Sequence, residues 1–169
     1  AHLALRQGVK AGDTVVVMPI DTYADQGYYD CITLLDEAVQ SSAADLVLLG
    51  VEPTYATGKY GYIEPASREG SPWPVECFTE KPSIEVAQGL IENGALWNCG
   101  VFAFKLGYLS DITRRHAETK SFDELCRRYS ELPKISFDYE VVEKSDSVAV
   151  VPYSGTWKDL GTWNTLTDE

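Results

Sequence analysis

Two unbroken apolar runs, "TVVVM" at Thr14–Met18 and the one in "DLVLLGVEP", stand on either side of an amphipathic segment and limit the folds open to this chain. Runs without polar alternation suit strands buried on both faces, as in a parallel sheet. Between them, "YYDCITLLDEAVQSSA" sets Cys31, Leu34, Leu35, Ala38 and Val39 on one helical stripe. Strand, helix, strand over this length predicts a right-handed crossover unit, whose ligands sit at the carboxyl ends of the strands. Asp21 falls at such an end.

The remaining segments extend the same plan. "WPVECFTEKP" reads as a strand that stops at Lys81 and Pro82, because proline cannot donate to a ladder. Ser83 is a good N-cap for "SIEVAQGLIENG", and Gly94 is its stop signal. "ALWNCGVFAFK" returns as a strand with Phe102 and Phe104 on one face. Helical patterns follow in "YLSDITRRHAE", "SFDELCRRYSEL" and "SFDYEVVEK". "SVAVVPY" is a last buried strand, and "SGTWKDLGTWNTLTDE" reads as a loop opening a terminal helix. The expected fold is an α/β domain with a central, mostly parallel sheet and some antiparallel pairing between residues 60 and 104.

Composition removes several functions. The 169 residues carry a formal charge of −12, which opposes binding to a nucleic-acid backbone, where affinity comes from clustered cations. An anionic ligand must then be held by a few local cations or by a metal. The four cysteines are scattered with no C-x-x-C spacing and there are two histidines, so a zinc site is not expected. No apolar run reaches membrane-spanning length, and with reduced thiols this reads as a cytoplasmic protein without a membrane partner.

The candidate chemistry is spread along the chain. Asp21 and Asp159 each stand beside turn-forming residues. Projecting from one sheet edge they would hold a magnesium ion, which takes one or two carboxylates plus phosphate oxygens and water; taken singly, each reads as an ordinary cap or turn residue. Lys81 offers a point charge for a phosphate, with Glu80 accepting sugar hydroxyls, or else the two form an exposed ion pair of little energetic weight. Trp97 and Asn98 read as ligand contacts or as core and turn residues. Gly61 allows close approach of a ligand or meets a backbone need. Trp157 and Trp163 fit simple packing about a turn.

Taken together and in order, "VVVMPIDTYAD", "KYGYIE", "FTEKP", "GALWNCGVFAF", "SFDYEVVEK" and "WKDLGTWNTL" resemble the sugar-1-phosphate nucleotidyltransferases, most closely the bacterial mannose-1-phosphate guanylyltransferases. The resemblance runs from about Gly12 to the end. It implies a Rossmann-like, three-layer domain in which Asp21 and Asp159 bind Mg2+ and Lys81 binds the sugar phosphate. It further implies that Glu80, Asn98 and Gly61 contact the sugar hydroxyls and ring, and Trp97 is the remaining candidate substrate contact. The implied reaction is GTP plus mannose 1-phosphate to GDP-mannose and pyrophosphate. Two departures stand out. Cys99 occupies a position where the family commonly has serine. No G-x-G-x-R-type segment for the triphosphate occurs, so residues 1–169 read as the C-terminal part of a catalytic domain, N-terminally truncated and with little turnover alone. A glucose-1-phosphate enzyme using UTP or dTTP, or a non-catalytic nucleotide-sugar sensor of the same fold, remain alternatives. Oligomeric state is left open, a homodimer included.

Overall fold

The computed structural model describes residues 8–119 and 121–161. The terminal helix expected in "SGTWKDLGTWNTLTDE" and Trp163 therefore lie largely or wholly outside the described residues. In chain order the elements are β1 (Thr14–Val17), β2 (Thr22–Ala24), α1 (Gln26–Ser41), β3 (Leu46–Val51), β4 (Tyr62–Pro65) and β5 (Trp73–Thr79). Then follow α2 (Ile84–Glu92), β6 (Leu96–Lys105), α3 (Leu106–His116), α4 (Phe122–Arg127), a 3-10 turn (Tyr129–Glu131), a π-helical turn (Asp138–Val142), β7 (Val148–Tyr153) and β8 (Trp157–Asp159). Among the described residues no helix is long and apolar enough to cross a membrane.

Six strands form a mixed central sheet in the order β1-β6-β3-β7-β5-β4, with β4 also pairing with β6. The fold class matches expectation, but "mostly parallel" does not describe the hydrogen bonding. Only β3–β7 is a parallel pair; the other contacts of this sheet are antiparallel. β1, β3, β4 and β7 do share one direction. The ten-residue β6 is threaded between β1 and β3 and runs against both, so two co-directional strands joined by a crossover helix are not neighbours.

Packing follows the strand alternation. One face of the sheet buries Val47, Leu49, Val51, Val101 and Val151 against Cys31, Leu35, Ala38 and Val39 of α1 and Ala87 and Leu90 of α2. The other face packs Leu46, Leu48, Phe102, Phe104 and Val150 against Val142, Phe137, Tyr108 and Leu109. This makes three layers. Every residue of β3 is buried, and each fully buried Leu or Val contributes about 1.5–3 kcal/mol of transfer free energy. Leu34 lies at the margin of the α1 stripe and is exposed.

Local signals set the element ends near the site. Ser83 Oγ accepts from Val86 N at 3.3 Å and starts α2 directly after Lys81 and Pro82. Gly94, at φ +85°, reverses the chain so that Ala95 N donates to Leu90 O at 2.9 Å and β6 begins at once. α2 runs from the end of β5 to the start of β6, and Tyr62 of β4 pairs with Thr79 on one side and Trp97 on the other, which places "EKP" and "WNCG" in one neighbourhood.

Candidate active site

Asp21 and Asp159 are brought together by a second, two-stranded sheet that periodicity does not predict. β2 and β8 pair antiparallel, with Thr22 opposite Asp159, and Leu160 N donates to Asp21 O at 3.1 Å. Asp25 fastens this pair to the main body: Oδ1 caps α1 through Gly27 N at 2.8 Å, and Oδ2 accepts from Thr156 N at 2.9 Å. These bonds, with one from the Tyr153 hydroxyl as the leading cause, hold the Asp25 carboxyl below its ordinary value. Gly161 stands between the two candidate carboxylates. Gly161 N donates to Asp159 Oδ1 at 2.8 Å, and a Cβ built there would lie 2.9 Å from that oxygen and 3.6 Å from Asp21 Oδ2, so both acids border one small space beside this glycine.

Asp21 and Asp159 line a cavity of about 230 Å3, and so do Gly61, Glu80, Lys81 and Asn98. Lys81 Nζ is 3.2 Å from Glu80 Oε1; the lysine side chain is 56% exposed and the glutamate 6%. Lys81 has φ +47°, the one positive value at a non-glycine among the described residues. Such a backbone costs about 1–2 kcal/mol, and strain of this kind gathers at functional positions. Gly61 lets the carboxylate come close: a Cβ there would fall 2.6 Å from Glu80 Oε2 and 2.7 Å from Phe78 Cζ. Burial first, and then the charge of Asp138, pushes the Glu80 carboxyl above its ordinary value, while Lys81 pulls it back.

Asn98 is fixed from both sides. Its backbone N donates to Gly61 O at 2.8 Å, its Oδ1 accepts from Gly100 N at 3.1 Å, and its Nδ2 donates to Asp138 Oδ1 at 2.9 Å. Cys99 also borders the cavity, but its thiol donates to Leu49 O at 3.2 Å and burial pushes it up to about 12, which makes it a poor nucleophile.

Trp97 does not join the other six. Successive residues of β6 point to opposite faces, so Trp97 turns into the core facing α1 while Asn98 faces the cavity. Its ring packs edge-on against Tyr60 and Tyr55, with centroids at 5.1 and 5.0 Å. It lines an adjoining cavity of about 500 Å3 and supports the Tyr60 and Trp157 wall that the two cavities share. The motifs alone do not single out Asp138, Tyr60 and Glu143. Glu143 Oε1 accepts from Glu80 N at 3.0 Å. An acid at the start of the short helix in "SFDYEVVEK" is the signal that points to Asp138.

The profile of the nucleotidyl transferase family matches residues 1–169. This chain belongs to that family. A mannose-1-phosphate guanylyltransferase of Sinorhizobium fredii is 31% identical over 90% of this chain and 33% of its own length. The crystal structure of a Thermus thermophilus protein described as a mannose-1-phosphate geranyltransferase superposes with a TM-score of 0.82 at 35% identity, covering 97% of this chain and 50% of that one. A UDP-glucose pyrophosphorylase structure shares the fold, with a TM-score of 0.63 at 17% identity, covering 98% of this chain and 56% of that one. The chain thus spans about a third of the Sinorhizobium relative and half of the Thermus protein.

Among the described residues no three His, Cys, Asp or Glu side chains gather as a cation site. The pair flanking Gly161 fits a different arrangement, in which two carboxylates hold an ion completed by substrate oxygens and water.

Proposed function

We propose that the cavity binds a sugar 1-phosphate and that the chain forms the sugar-phosphate half of a mannose-1-phosphate guanylyltransferase. The observation that carries this reading is the convergence of Asp21 and Asp159, far apart in sequence, on one cavity with Lys81, Glu80 and Asn98. Names borne by relatives at about 30% identity favour mannose and GTP over glucose with UTP or dTTP.

In this reading Lys81 places its ammonium group on the phosphate as a point charge, in a cavity whose other charged lining groups are Lys59 and four carboxylates. The buried Glu80 carboxylate accepts a sugar hydroxyl, and the fixed Asn98 amide offers its second N–H to another. A phosphate oxygen of the sugar then attacks the α-phosphorus of GTP; the new P–O bond forms as the bond to the β-phosphate bridge breaks and pyrophosphate leaves. No covalent protein intermediate is required, so the residues act by placing the nucleophile and offsetting charge. Asp21 and Asp159 would hold Mg2+, which when bound supplies charge neutralisation for the phosphate oxygens.

Calorimetric titration of the chain with mannose 1-phosphate and glucose 1-phosphate, with and without Mg2+, tests the reading. Tighter binding of mannose 1-phosphate that depends on Mg2+ and on Lys81 is expected. Equal affinity for both sugars removes the mannose assignment; no binding of either removes the site.

A further inference from the structure

One carboxylate in the cavity has no role in the reaction above. Asp138 opens the π-helical turn, whose defining bond runs from Glu143 N to Asp138 O at 2.9 Å. Its Oδ1 accepts from Asn98 Nδ2. A carboxylate offers about four lone-pair sites, and among the described residues its Oδ2 has no hydrogen-bond partner. Asp138 borders the same cavity as Glu80, and its charge acts directly on that carboxyl. Glu80 already shares Oε1 with Lys81. Two anionic acceptors facing one space, with Lys81 bound to only one of them, leave acceptor capacity that a ligand displacing water from the cavity would have to meet with donors of its own. Adjacent ring hydroxyls supply two donors side by side.

Resting on the sugar-phosphate reading, we propose that Asp138 is a specificity residue of this pocket. Its free Oδ2 accepts one ring hydroxyl while Glu80 accepts the neighbouring one, so the pair selects sugar 1-phosphates that present two adjacent hydroxyl donors. The competing role for Asp138 is to hold Asn98 and nothing more. The two roles differ in what a missing hydroxyl does.

The test is calorimetric titration with mannose 1-phosphate and each of its monodeoxy analogues, using the unmodified chain, Asp138→Ala, Asn98→Ala and the double variant, each checked by thermal melting. Asp138→Ala should weaken mannose 1-phosphate binding about ten- to hundred-fold, the loss of one charge-assisted hydrogen bond. One analogue, lacking the hydroxyl that Asp138 accepts, should bind Asp138→Ala and the unmodified chain alike, and the Asp138→Ala penalty should persist in the Asn98→Ala background. Asp138→Asn, which keeps an oxygen for Asn98, serves if the alanine variant does not fold and should give the same pattern with smaller losses. Equal losses across all analogues, or no penalty once Asn98 is gone, overturn the proposal and leave the sugar site standing. An unmodified chain that binds no sugar 1-phosphate overturns the site reading and the proposal with it.

Discussion

Gly61→Ala is the sharpest perturbation of the cavity. The added Cβ would sit 2.6 Å from Glu80 Oε2 and 2.7 Å from Phe78 Cζ, inside any real contact distance, so something must shift. The Phe78 ring is buried in the core facing α3 and cannot retreat without opening that packing. Glu80 is the freer of the two, although its backbone N is tied to Glu143 Oε1 and its Oε1 to Lys81. Overpacking at such a point costs about 1–3 kcal/mol. For a chain of this size that is roughly 2–12 °C in Tm. If Glu80 gives way, the hydrogen bond proposed between it and the sugar is lost as well, about 1.5–3 kcal/mol or ten- to hundred-fold in affinity. Thermal melting and calorimetric titration with mannose 1-phosphate read the two effects separately. A variant that melts lower but binds with unchanged affinity would show that Glu80 does not touch the sugar. One that melts and binds like the unmodified chain would refute the packing argument at its root.

Lys81→Ala should weaken sugar 1-phosphate binding with little change in melting, and Lys81→Gly should bind as weakly yet fold about 1 kcal/mol more stably by relieving the positive φ; equal melting of the two contradicts the strain. Asp21→Asn or Asp159→Asn should abolish the Mg2+ dependence of binding, with the double variant no worse than either single one; fully additive losses in the same titrations would mean that the two acids do not share an ion. Because the folded-state pKa of Glu80 is raised, the folded protein holds this proton more tightly than the unfolded chain. The resulting stability is complete below the unfolded value near 4.5 and is lost as pH rises through the folded value, so Glu80→Gln should gain relative stability across that rise in denaturant titrations at a series of pH values. Sugar affinity should run the other way, falling as acidification protonates Glu80 at a pH above the ordinary glutamate range. Nucleotidyl transfer by this chain alone should be slight in a pyrophosphate-release assay with GTP and mannose 1-phosphate; brisk turnover would contradict the expectation that the triphosphate is cradled elsewhere.

The long apolar elements can be read directly. β3 and β7 are unbroken apolar runs, α1 has its stripe, and α2 is bracketed by Ser83 and Gly94, so hydrophobic burial and capping, both local in sequence, specify them. The order of strands cannot be read, because the insertion of β6 between β1 and β3 depends on contacts made far along the chain. β2 and β8 are invisible for a related reason: three residues hold too little alternation to register, and their pairing joins opposite ends of the sequence. Trp97 is a different case. Once "LWNCG" is taken as a strand, its period of two already puts Trp97 and Asn98 on opposite faces, and grouping them in one sugar pocket sets the motif above the pleat. Asp138 and Glu143 escape because their partners, Asn98 and Glu80, are 40 and 63 residues away.

The π-helical turn carries a constraint on chain length as well as on composition. Asp138 reaches Asn98, Glu140 pairs with His116 and Lys144, and Glu143 reaches Glu80, so three acids moor one short coil to its surroundings in three directions. Removing a single residue inside it would rewind the segment as an ordinary α-turn and swing everything after the cut by about 100°, pulling Glu143 off Glu80. Insertions and deletions should therefore be purged from Asp138–Val142 during divergence even where the individual side chains are free to drift.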